Sequence, residues 1–106
     1  MKTKLVTTRY GQMHVIESDV WVSRSLSELG EWSESEMDVV RTVFKILRPV
    51  YPDGIEVVDA GAYIGDLTIP ISKLVKKVYA FEPQQEVAYI LRKNLELNNI
   101  QNVGYI

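Results

Sequence analysis

The sequence predicts an α/β fold: the first half of a Rossmann-like domain with a parallel sheet, preceded by a β-hairpin and an amphipathic helix. Three observations predict it. Residues 55–60 are a short, β-branched apolar run carrying Asp59 near its end; a turn containing Gly61 and Gly65 leads into a helical pattern; and residues 78–81 form a second apolar run closed by Glu82. Strand, helix and strand of this kind are half of a nucleoside-binding unit, in which the carboxyl ends of parallel strands carry the ligand.

Residues 2–8 and 12–22 cluster Val, Thr, Trp and Ile around Tyr10-Gly11, which predicts a hairpin or two short strands. Ser33 with Glu36 three residues on has the form of a capping box, and Met37, Val40, Val43, Phe44 and Leu47 recur at helical spacing up to Pro49. Tyr51-Pro52-Asp53-Gly54 is turn chemistry that delivers the chain into the next strand. The run 55–60 is apolar on both alternating faces, as expected of a strand covered by helices on both sides. Leu67, Ile71, Leu74 and Val75 share one helix face, and Pro70 is tolerated only in a first turn, so the helix should begin near 66–68. After the strand at 78–81, Val87, Ile90, Leu91 and Leu95 stripe a second helix with a left-handed exit at Asn98-Asn99, and 103–106 begins a third strand. The expected organisation is a 1–32 hairpin and approach segment followed by an incomplete cofactor-binding half-domain at 33–106.

Composition narrows the chemistry. The chain has 106 residues, 46% hydrophobic and 25% charged, the balance of an ordinary globular domain. Twelve basic against 14 acidic residues leave a net charge of −2, which argues against a nucleic-acid partner. Cysteine is absent and His14 is the only histidine, so thiolate chemistry and a protein metal site are not expected. No apolar run approaches the ~20 residues a membrane helix needs, and the start resembles no signal sequence; a cytoplasmic protein is expected, with no membrane partner.

Right-handed crossovers bring the Asp59–Gly65 turn and the Glu82 tip to the same edge of the sheet. Glycines there admit close approach of a ligand to the backbone, and a carboxylate at the second strand tip can accept hydrogen bonds from both ribose hydroxyls. A pyrophosphate turn would need glycines where Tyr63 and Asp66 stand, and no phosphate-binding G-x-x-x-x-G-K-[ST] follows the strand. Acidic Asp59 and Asp66 suit the net positive S-adenosylmethionine better than a pyrophosphate.

The strand and turn Val58-Asp59-Ala60-Gly61-Ala62-Tyr63-Ile64-Gly65, the segment Val78-Tyr79-Ala80-Phe81-Glu82-Pro83-Gln84, and Asn94-Leu95-Glu96-Leu97-Asn98-Asn99 with Asn102-Val103 resemble the N-terminal part of an FkbM-type methyltransferase, within the class I S-adenosylmethionine-dependent enzymes. Ser23-Arg24-Ser25-Leu26 and Gly30-Glu31-Trp32-Ser33 resemble that family's approach segment. The resemblance implies a sheet ordered 3-2-1-4-5-7-6, of which only strands 3-2-1 are expected here. It places Asp59, Gly61, Ala62, Tyr63, Gly65, Glu82 and Pro83 around S-adenosylmethionine, with Glu31 and Trp32 as further cofactor contacts. Asparagine is usual where Tyr63 stands. The implied activity is O-methylation of a sugar or small molecule by the complete enzyme, with a small-molecule or glycan acceptor and no nucleic acid. No catalytic residue is identified, and the 106-residue chain alone is expected to be inactive. The alternative is a non-catalytic S-adenosylmethionine-binding half-domain, or an assembly module completed by a partner chain. The strand at 55–60 would lack one neighbour, leaving an edge through which homo-oligomers could form unless the hairpin covers it.

Overall fold

The structure, a computed structural model, describes residues 1–105. Strands β1 (Thr3–Thr8) and β2 (Gly11–Ile16) form an antiparallel hairpin, followed by helices α1 (Val22–Leu29) and α2 (Glu34–Leu47). Then come β3 (Glu56–Ala60), α3 (Thr68–Ser72), β4 (Lys77–Phe81), α4 (Gln85–Leu97) and β5 (Val103–Tyr105). The strands β3, β4 and β5 lie side by side, all parallel, in the predicted order, with Val57 opposite Val78 and Val78 opposite Val103. Residue 106, the last of the expected third strand, lies outside the described residues.

Alternation along the strands assigns two faces to this sheet. Val57, Val78, Ala80 and Val103 point to one of them, where α2 and α3 contribute Met37, Phe44 and Ile71 and α4 contributes Val87, Ile90, Leu91 and Leu95. Val78 and Ala80 are almost wholly buried there. The opposite face carries Val58, which is 65% exposed, beside the half-buried Tyr79 and Phe81. The expectation of helices on both faces is therefore corrected: apolar residues do alternate onto both sides of β3, but α2, α3 and α4 contribute to one face only, and α1 packs on the hairpin. Consecutive right-handed crossovers running in one direction put every connecting helix on the same side.

The hairpin forms its own two-stranded sheet and packs Met13, Val15 and Ile16 against Leu26 and α4, so it does not cover the free edge of β3. Asn94 is the joint. Fully buried, it accepts from the His14 amide at 2.6 Å and donates through Nδ2 to the carbonyls of His14 (3.0 Å) and Ile64 (2.9 Å), tying hairpin, α4 and glycine turn together. A buried amide satisfied at both ends specifies one docking geometry.

Local signals are met unevenly. The second strand stops at Ile16 and residues 22–29 are helical, because Asp19 accepts from the amides of Trp21 and Ser23 and so caps α1. Helix α2 begins where the capping pattern predicts, yet Ser33 is left-handed (φ 54°) and its side chain makes no cap bond. Its first turn is held by Glu34, which takes an ion pair from Arg41 at 2.8 Å and a hydrogen bond from the Tyr10 phenol. Helix α3 is one short turn with Pro70 inside it, and Asn99 takes the left-handed exit (φ 55°) expected after α4.

Candidate cofactor site

Parallel register sets Ala60 beside Phe81, so the tips of β3 and β4 end together. The chain then folds back over β4: the amides of Gly61 and Ala62 both donate to the Phe81 carbonyl, at 2.8 and 2.9 Å. This turn brings the Tyr63 amide to Glu82 Oε1 at 3.0 Å, while the Gln84 amide donates to Oε2, also at 3.0 Å. Both carboxylate oxygens of Glu82 are thus oriented by main-chain donors and retain lone pairs toward the surface. Neighbouring Pro83 is exposed.

The two glycines have different tasks. Gly61 has φ +77°, and a Cβ built on it would meet nothing within 4 Å. Its backbone borders open space at the strand tips. Gly65 (φ +98°) is buried, and a Cβ there would stand 2.9 Å from Leu91 Cδ1, so this glycine lets α4 approach the turn. Ala62 is buried in the core beneath.

Four acidic groups converge on this turn. Asp59 accepts from Thr68 Oγ1 at 2.5 Å. Asp19, from the segment before α1, accepts from the Tyr63 phenol at 2.7 Å. Burial pushes Asp19 up, but the bonds from Tyr63, Ser23 and Trp21 outweigh it and hold the carboxyl below its ordinary range. Burial pushes Asp66 up, its own amide pulls it down, and the charges of Asp59 and Asp19 push it up again, to about 6. Glu82 completes the group from the tip of β4. Tyr63 is left-handed (φ 55°), a conformation that asparagine, the residue the FkbM resemblance implies at this place, tolerates and a bulky side chain seldom takes. Burial first, then Asp19, raises its phenol well above the usual value.

Of the nine residues predicted from sequence, Asp59, Gly61, Ala62, Tyr63, Gly65, Glu82 and Pro83 therefore lie on one turn and its adjoining strand tip. Glu31 is engaged elsewhere, by Arg9 at 3.2 Å, and Trp32 is half-buried against the hairpin core. Sequence reasoning missed Asp19; the available signal was an Asp within capping distance of a short helix, hidden by reading 12–22 as strand. The arrangement fits S-adenosylmethionine: open space over Gly61, an oriented carboxylate for two hydroxyls, and an acidic rim for a cationic ligand. Among the described residues no three His, Cys, Asp or Glu side chains are placed so that they could hold a metal ion, and no helix is long and apolar enough to cross a membrane.

No family model matches the chain. A curated relative, ribosomal RNA small subunit methyltransferase A of Wigglesworthia glossinidia brevipalpis, is 29% identical over 80 residues, which are 76% of this chain and 30% of the relative. Among solved structures, the complex of aTrm5 with tRNALeu matches 97% of this chain and 27% of the solved chain, with a TM-score of 0.61 at 21% identity. The chain thus spans under a third of the length of either protein. The likeness establishes the fold as part of a Rossmann-like methyltransferase domain.

These findings overturn one expectation. A small-molecule or glycan acceptor without nucleic acid does not stand, because the curated relative is named for ribosomal RNA and the solved neighbour is bound to tRNA. A net charge of −2 does not by itself exclude such a partner, because Asp19, Asp59, Asp66 and Glu82 gather at one turn and lower the sum without describing the rest of the surface. Neither of these proteins is named as an FkbM-type enzyme, so that type is not shown. What this chain is similar to are class I S-adenosylmethionine-dependent methyltransferases, whose cofactor is S-adenosylmethionine.

Proposed function

We propose that this chain is the S-adenosylmethionine-binding half of an RNA methyltransferase. The observation that carries the reading is Glu82, fixed by two main-chain donors beside the open space over Gly61. S-adenosylmethionine supplies a methyl group activated by its sulfonium. Glu82 accepts from the ribose hydroxyls, Gly61 leaves room for the amino-acid portion, and Asp59 and Asp66 lower the electrostatic cost of holding a cation at the strand tips. Tyr63, held by Asp19, keeps the turn in the shape that presents Glu82. Pro83 borders the ribose side, and Glu31, paired with Arg9, and Trp32 are carried as further cofactor contacts from the approach segment.

The RNA acceptor follows from the names of the relatives, and with it the acceptor implied by the FkbM resemblance is set aside. The comparisons do not favour a non-catalytic module. Transfer itself requires the acceptor to be held in line with the methyl group, a task of position and orientation. Calorimetry with S-adenosylmethionine and its demethylated product tests the cofactor half of the reading. Glu82→Ala removes two charge-assisted hydrogen bonds and should weaken binding at least tenfold. Gly61→Val should abolish binding while circular dichroism stays unchanged. Equal affinities in wild type and Glu82→Ala would overturn the assignment.

A further inference from the structure

A cavity of about 530 Å³ lies away from the glycine turn, between the hairpin and α4. Thr3 and His14 line it on the hairpin side, and Gln85, Glu86, Tyr89 and Lys93 on the helix. The helical residues recur at intervals of three or four, so they occupy one face, and at 1.5 Å per residue Gln85 to Lys93 spans about 12 Å. The groove begins three residues beyond Glu82 and runs from the cofactor edge of the sheet down α4.

Its chemistry is specific in kind. Tyr89 is 57% exposed, and Lys93 Nζ stands 5.2 Å from the ring centroid, which sets a cation beside an accessible aromatic face. His14 faces the same groove from a backbone fixed at both its amide and carbonyl by Asn94. Gln85 and Glu86 add groups that can donate to and accept from the edge of a base. Aromatic faces beside cations are how proteins hold single-stranded nucleic acid, by stacking the base and neutralising the phosphate.

We infer that this groove holds a single-stranded stretch of RNA, with a base stacked on Tyr89 and the backbone phosphate at Lys93 and His14, leading the strand to the cofactor edge. The inference rests on the RNA-methyltransferase reading. One carboxylate, Glu86, lies on the lining; it accepts from exocyclic amines and disfavours a second phosphate at that end.

The test is fluorescence anisotropy with a short, end-labelled, unstructured RNA. Tyr89→Ala should weaken binding at least fivefold through loss of stacking. Lys93→Ala should weaken it and reduce the slope of log K against log salt by about 0.7, the value for one phosphate contact on a single strand. Lys45→Ala, on α2, should change neither. Wild-type binding that is indifferent to Tyr89→Ala and Lys93→Ala overturns the groove and leaves the RNA reading standing. A duplex that competes as well as the single strand overturns it too. Intact S-adenosylmethionine binding with no RNA binding by the wild type removes the RNA acceptor, and the groove with it.

Discussion

Replacing Asp66 by an asparagine should stabilise the protein at neutral pH and leave it unchanged in acid. In the folded chain burial and the charges of Asp59 and Asp19 carry the Asp66 carboxyl from 3.8 to about 6. A raised carboxylate pKa means that the native state binds more protons than the unfolded state between those two values, so stability declines as pH rises from about 4 to about 6. At about 1.36 kcal/mol per pH unit, ionising Asp66 in place costs the folded state roughly 3 kcal/mol by pH 7. A neutral amide side chain at this position carries no such cost. Urea unfolding at pH 4 and pH 7 should therefore show wild type and Asp66→Asn close together in acid and separated by up to ~3 kcal/mol at neutrality, with equal m-values. The same ionisation is favoured by a cationic ligand, so S-adenosylmethionine affinity should fall as pH drops below about 6 in the wild type and be flat across that window in the variant. A constant stability difference between the two proteins at both pH values would refute the argument, since it would mean that Asp66 ionises as freely in the fold as outside it.

Asn94→Ala leaves the His14 amide and two carbonyls without partners, at about 1–3 kcal/mol each, so a loss of about 3 kcal/mol or more is expected in denaturant titration. Gly65→Ala should cost about 1–3 kcal/mol through strain and the contact with Leu91, whereas Gly61→Ala should cost about 1 kcal/mol, from its positive φ alone; comparing melting midpoints separates the two glycines. Tyr63→Phe breaks the bond to Asp19 and should cost about 1–2 kcal/mol, and nuclear magnetic resonance should show the amides of 61–65 shifting with it.

Elements whose hydrophobic period runs long were legible in the sequence. The stripe Val87, Ile90, Leu91 and Leu95 faces the core as predicted, and the parallel order of β3, β4 and β5 follows from two crossovers of fixed hand. What failed depended on partners distant in sequence. Residues 17–22 look like the end of a strand because Val20 and Trp21 are good strand formers, yet both are exposed and Asp19 turns the chain into a helix. Ser33 has the right spacing for a cap, but the first turn of α2 is organised instead by Tyr10 and Arg41, which meet at Glu34. At the site, the glycines and the strand-tip carboxylates could be found from spacing alone. The contribution of Asp19 could not, because it reaches Tyr63 across 44 residues of chain. Nor does a sum of charges reveal which acidic groups share one turn.

The Asn94 joint also sets an order of events as the chain leaves the ribosome. Its bonds to His14 close a loop of 80 residues, whereas Glu82 meets Tyr63 across only 19. Loop closure grows dearer with length, and contacts between distant segments limit how quickly a fold is reached. The strand-helix-strand unit around Glu82 can therefore assemble as soon as it is synthesised, while the hairpin, made earlier, must wait for α4 before it has anywhere to dock. The earlier-made residues become the later-placed ones. Asp19 lies just after that hairpin, so its bond to Tyr63, across 44 residues, belongs with the long-range contacts of the cofactor turn and not with the local ones.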